Sequence, residues 1–139
     1  MFRAVHRVIA ELGAHHGVLP GNIVLGGFSQ GGSLALSAGL AYPASLGGIV
    51  SISGWCADRA AFADRVHPAQ RQTPVLFSCG TADPVVDFEL AKLSGTLLAA
   101  MLGDAVTVMH SQRKAHPPKR PEMDATVGFM QRCLATGGR

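Results

Sequence analysis

Charge is scarce in this 139-residue chain: 15% of residues are charged against 47% apolar. That balance excludes a disordered, self-repelling polypeptide and favours a packed core. Cysteine is scarce too. Cys56, Cys79 and Cys133 are odd in number, lie far apart, and show no Cys-x-x-Cys or Cys/His ligand spacing. A zinc site or a disulfide framework therefore has no support, and half-buried free thiols in a reducing cytoplasm are expected. Aromatics amount to only 6%. The net charge of +3 comes without the basic stripe and interleaved aromatics of nucleic-acid binders, so no nucleic-acid partner is expected. No apolar run approaches the ~20 residues of a membrane span, which leaves peripheral contact as the most expected of a membrane. The opening Met1–Arg7 segment has no unbroken apolar stretch, so no secretory leader is expected.

What is present alternates. Phe2, Val5, Val8, Ile9 and Leu12 recur at helical spacing, and Gly13 or Gly17 ends that helix. Short apolar runs then precede small-residue or Leu/Ala-rich segments. Strands are expected at 23–25, 48–53, 74–79 and 105–109. Helices are expected at 31–41, 86–102 and 122–134, with a short one at 58–66. This alternation predicts right-handed βαβ units and a mostly parallel sheet with helices on both faces. Strands apolar on both sides agree with that reading.

Gly27-Phe28-Ser29-Gln30-Gly31 matches G-x-S-x-G in the setting that motif needs, with a strand leading in and a helix leading out. The sharp turn is expected to exclude side chains at Gly27 and Gly31 and to lift the Ser29 hydroxyl above the sheet. Gln30 opens the helix, where its backbone N–H suits a developing oxyanion. A serine hydroxyl needs a hydrogen-bonded base, and that base needs an acid. Asp83 follows the third strand and fits the acid. Asp58 sits at a helix start, where N-capping suits it better. Asp83 also suits a turn or cap before the 86–102 helix. Among six histidines, His110 and His116 both follow the last strand. His116 lies farther along the loop, where a base is usually found.

Gly26-Gly27-Phe28-Ser29-Gln30-Gly31-Gly32, Asp83-Pro84-Val85-Val86, and His116 with Glu122 six residues on together resemble the acyl-protein thioesterase, or phospholipase/carboxylesterase, family. The resemblance runs from about residue 17 to 134 and implies an α/β-hydrolase fold. It maps a catalytic triad onto Ser29, Asp83 and His116, and one oxyanion-hole N–H onto Gln30. Ser53-Gly54-Trp55 resembles the segment beside the acyl pocket, so Trp55 is expected to line that pocket or to sit in the core. The implied activity is hydrolysis of carboxylic esters or acyl thioesters through an acyl-enzyme, with no metal or organic cofactor. Acylated proteins, lysophospholipids or small esters are the implied substrates.

Three departures stand out. Cys79-Gly80 replaces a usual His-Gly. The usual glycine-rich approach to the histidine is replaced by a basic loop, with Arg113-Lys114-Ala115 before His116 and Pro117-Pro118-Lys119-Arg120 after it. A solvated charged loop is the expectation there. Family members also carry strands, and a loop giving a second oxyanion N–H, ahead of the helix that opens this sequence. Residues 1–139 are accordingly read as one N-terminally truncated α/β-hydrolase domain. Loss of one oxyanion donor costs about 2.7–4 kcal/mol. The first strand is expected to present an open edge suited to dimerisation. A catalytically impaired module that binds or oligomerises through that edge is the rival reading.

Overall fold

A computed structural model describes residues 2–136. The elements run α1 (Arg3–His16), β1 (Val24–Phe28), α2 (Gln30–Leu40), β2 (Gly48–Ile52), α3 (Arg59–Phe62), β3 (Val75–Gly80), α4 (Phe88–Leu102), β4 (Val106–Ser111) and α5 (Arg120–Thr136). The four strands pair in parallel in the order β1-β2-β3-β4. Each crossover therefore connects nearest neighbours, as the alternation of apolar runs predicts. β1 runs through both glycines of its closing pair, because Gly26 and Gly27 stay in register with Val50 and Ser51 of β2.

Alternation along the strands sorts side chains to two faces. Ile49, Val75, Phe77 and Cys79 join a large core with Leu36, Leu40 and Leu98 of α2 and α4. Val50, Ile52 and Leu76 point the other way, onto Phe129 and Cys133 of α5. β2 and β3 are buried throughout, which is why they read as unbroken apolar runs. α1 lies against α2, with the His6 ring bonded to the Ala38 carbonyl at 2.7 Å. Val8, expected on the apolar stripe of α1, is 54% exposed instead.

Two local expectations change. All three thiols are buried rather than half-buried. Burial pushes the Cys56 thiol up to about 12 and the Cys79 thiol to about 11. Asp58 does stand at the N-terminus of α3, but it makes no capping bond; its carboxylate pairs with Arg65 at 2.5 Å. α4 starts at Phe88, two residues later than expected, because Asp87 caps it by accepting from the N–H groups of Glu89 and Leu90.

Candidate active site

In a parallel sheet the loops beyond the carboxyl ends of the strands share one rim. Ser29 follows β1, Ser53 follows β2, Asp83 follows β3, and Arg113 and His116 follow β4. Sites widely spaced in sequence therefore meet.

Ser29 occupies the turn itself, with φ 56° and ψ −122°. This is a conformation that L-residues avoid, tolerated where surrounding structure enforces it. Its own N–H donates to the Ile52 carbonyl at 2.8 Å, and its carbonyl accepts from Ser33 N–H at 3.1 Å. The turn is pinned at both ends. Gly27 is required by contact: a Cβ there would lie 2.0 Å from the Gly31 carbonyl oxygen. The same expectation for Gly31 is corrected, since a Cβ on Gly31 meets nothing within 4 Å. The collision is one-sided because Gly31 contributes its backbone, not its side-chain position.

His116 reaches Ser29. Its Nε2 lies 2.8 Å from Ser29 Oγ, and its Nδ1 lies 2.8 Å and 3.1 Å from the two Asp83 oxygens. This network fixes the tautomer: Nδ1–H donates to Asp83, and Nε2 accepts from the serine hydroxyl. Phe28 packs on the imidazole at a centroid distance of 4.7 Å. His110 is elsewhere, edge-on to Phe88 of α4.

Asp83 makes the contacts of both readings considered for it. Its Oδ1 accepts from the N–H groups of Val85 and Val86, closing the turn, while its carboxylate also faces His116. Burial alone would raise its pKa. The His116 bond, the two backbone donors and the charge of His116 outweigh that and hold it below the usual carboxylate value.

Gln30 is the first residue of α2, so its N–H belongs to the opening turn, whose amides have no partner within the helix. Trp55 is partly buried against the core and also faces open space. It lines a cleft of about 300 Å³ with Ser29, Val86 and Leu90. It also lines a more apolar cleft of about 590 Å³ with Gln30, Gly31 and Leu34. Trp55 is therefore both a core contact and a cleft-lining residue.

The basic loop departs most from expectation. Lys114, Lys119 and Arg120 are exposed, but Arg113 is buried. Its side chain is 0% exposed, against Asp83 at 2% and Glu122 at 3%. Composition pointed to a solvated loop; the guanidinium instead finds two carboxylates inside. Glu122 is itself held by Ser78 Oγ at 2.9 Å and Lys119 N–H at 3.0 Å. Burial works to raise its pKa, but these bonds and Arg113 more than offset that and lower it. Among the described residues no group of His, Cys, Asp and Glu side chains is arranged to hold a metal ion.

The chain is 42% identical over 120 residues to acyl-protein thioesterase 1 of Gibberella zeae, covering 85% of this chain and 51% of that protein. It is 40% identical over 119 residues to a probable carboxylesterase of Oryza sativa subsp. japonica, covering 84% and 48%. The crystal structure of Arabidopsis thaliana SOBER1 superposes with a TM-score of 0.86 at 29% identity, covering 96% of this chain and 62% of that one. The chain thus spans about half the length of such curated relatives. The fold is that of the α/β-hydrolases. A family model described as phospholipase/carboxylesterase matches residues 1–134, and the chain belongs to that family.

Proposed function

We propose that this chain carries the nucleophile, base and acid of a serine hydrolase acting on carboxylic esters or acyl thioesters. One observation carries the reading: the unbroken run Ser29 Oγ, His116 Nε2, His116 Nδ1, Asp83, with both links at 2.8 Å. In that reading His116 takes the serine proton as Ser29 attacks the acyl carbonyl, and Asp83 faces the imidazolium that forms. The Gln30 N–H and the start of α2 stabilise the oxyanion. The protonated imidazole then gives its proton to the departing alkoxide or thiolate. Water, deprotonated by the same imidazole, releases the acid from the acyl-enzyme. The names of the relatives support acylated proteins and small esters as substrates, and the cleft that Ser29 and Trp55 line together gives an acyl group room beside Ser29. A reducing cytoplasmic setting belongs to the same reading, supported by three buried free thiols.

The test is labelling by a fluorophosphonate probe, with Ser29→Ala as control, followed by turnover of matched oxygen and thiol esters. Labelling that needs Ser29 supports the reading; a folded chain that does not label sinks it. A second reading, pairing with another chain through β1, is supported by the place of β1 at one end of the described sheet. It predicts a dimer by size-exclusion chromatography with light scattering, and a clean monomer counts against it.

A further inference from the structure

We infer that Arg113 is a positioning residue for the Ser29–His116–Asp83 relay, and that Glu122 holds it to that task. The inference rests on the catalytic reading above but concerns a residue that reading does not require. Arg113 leaves β4 just past Ser111 and turns its whole side chain inward. Its Nε donates to both Glu122 oxygens, at 3.2 and 3.0 Å. Its Nη1 donates to Asp83 Oδ2 at 3.2 Å, to the His116 carbonyl at 2.5 Å and to the Ala115 carbonyl. Its Nη2 donates to Ser53 Oγ. One rigid plane thus touches the end of β2, the acid, the backbone of the base and the first turn of α5.

Geometry gives the first half of the argument. Asp83 Oδ2 accepts from Arg113 Nη1 and His116 Nδ1 together. The atom that bonds this oxygen also bonds the His116 carbonyl, so a single nitrogen sets the spacing of acid and base. A guanidinium spans such a set because its donors are fixed in a fork; an ammonium is a single point. The end of β3 is shaped around it, for a Cβ on Gly80 would lie 2.9 Å from Arg113 Cγ and Cζ.

Charge gives the second half. Arg113 is always cationic, and a cation bonded only to Asp83 would cancel the negative charge that must face an imidazolium. Glu122 supplies a second carboxylate. The buried set of one guanidinium and two carboxylates keeps one net negative charge, which the proton arriving on His116 then balances. Glu122 therefore lets Arg113 fix the position of Asp83 without cancelling its charge.

The experiment compares the wild type with Arg113→Lys, Glu122→Gln and the paired Arg113→Met/Glu122→Gln. The paired variant removes cation and counter-charge together and so guards against a single variant that does not fold. Circular dichroism and thermal melting establish folding. The readouts are kcat and KM on a short p-nitrophenyl ester, and the far-downfield Nδ1–H proton resonance of His116. In folded Arg113→Lys, kcat and kcat/KM are expected to fall together by about 10²-fold, the effect of an ångström-scale misplacement. KM should stay within about twofold, and the resonance should broaden or vanish. Folded Arg113→Lys and paired variants that retain wild-type kcat and an unmoved resonance would overturn the proposal. If the wild type shows no Ser29-dependent turnover, the catalytic reading falls and the resonance alone decides. Its loss in the variants then supports positioning by Arg113, and its persistence overturns it.

Discussion

Replacing Gly27 with alanine tests the turn that carries Ser29, and the adjacent Gly26 supplies the control. A Cβ on Gly27 falls 2.0 Å from the Gly31 oxygen, 2.2 Å from its carbon and 2.7 Å from the Gly32 nitrogen. All three are backbone atoms, so no rotamer change relieves the overlap. The start of α2 must retreat from 2.0 Å to an ordinary contact of 3.4 Å, or about 1.4 Å. Overpacking of this kind costs about 1–3 kcal/mol, which lowers the melting temperature by roughly 4–12 °C in a chain of this size. The same movement drags Ser29 off the 2.8 Å line to His116, and ångström-scale misplacement costs about 10²-fold in rate. A Cβ on Gly26 meets only Val50, at 3.6 and 3.9 Å, so Gly26→Ala should stay within about 0.5 kcal/mol of wild type. The assay is the second-order rate of fluorophosphonate labelling, read beside thermal melting for both variants. Gly27→Ala that labels and melts like wild type would refute the reasoning. Equal losses in both variants would refute it too, because the difference between the two sites is what the structure predicts.

Three further outcomes are expected. Ser29 holds a backbone conformation costing about 1–3 kcal/mol for a residue with a Cβ, so Ser29→Gly should melt above Ser29→Ala while neither labels; identical melting would show no strain there. Asp83 and Glu122 have folded pKa values depressed below their ordinary 3.8 and 4.5. The unfolded chain therefore binds more protons across that range, and stability falls with falling pH. The stabilisation is whole above about 4.5 and is lost as pH drops through the depressed folded values. Acid-unfolding curves should show this loss, with a smaller slope in Glu122→Gln; an unchanged slope would contradict it. Ser51 Oγ is the one buried side-chain polar atom among the described residues with no hydrogen-bond partner. Ser51→Ala should therefore be neutral or stabilising by up to about 1 kcal/mol in urea unfolding, and a clear loss would mean that the hydroxyl has a partner.

Much of this architecture was legible because local signals and tertiary demands agree. The runs at 48–53 and 74–79 read as strands because they are buried on both faces. Ser29 was legible because its motif is local, a strand, a tight turn and a helix within a dozen residues. His116 and Asp83 followed from their places after strands, together with the family resemblance. Arg113 was not legible. Its side-chain partners lie 9, 30 and 60 positions away, and its immediate neighbours are Gln112 and Lys114, which speak for solvent. Two departures from the family pattern were the available signal. Arginine entered the approach to His116, while a smaller cysteine stood for histidine beside Gly80, the residue against which Arg113 packs. The steric argument for Gly31 failed for a related reason, since a tight turn shows that something must be small without showing whose Cβ would collide.

The bonds that complete the relay reach across 87 positions from Ser29 to His116 and 33 from Asp83 to His116. Contacts of such span close large loops and come at high entropic cost, whereas a strand–turn–helix needs only its own neighbours. The long-range bond that pins the Ser29 turn reaches only to Ile52, so β1, α2 and β2 can close that turn before His116 is within reach. On the proposed catalytic reading, reactivity toward an acyl group becomes a signal of a finished tertiary structure. On that reading, a nick between β4 and α5, in the loop that carries His116, would disarm Ser29 while leaving its own turn intact.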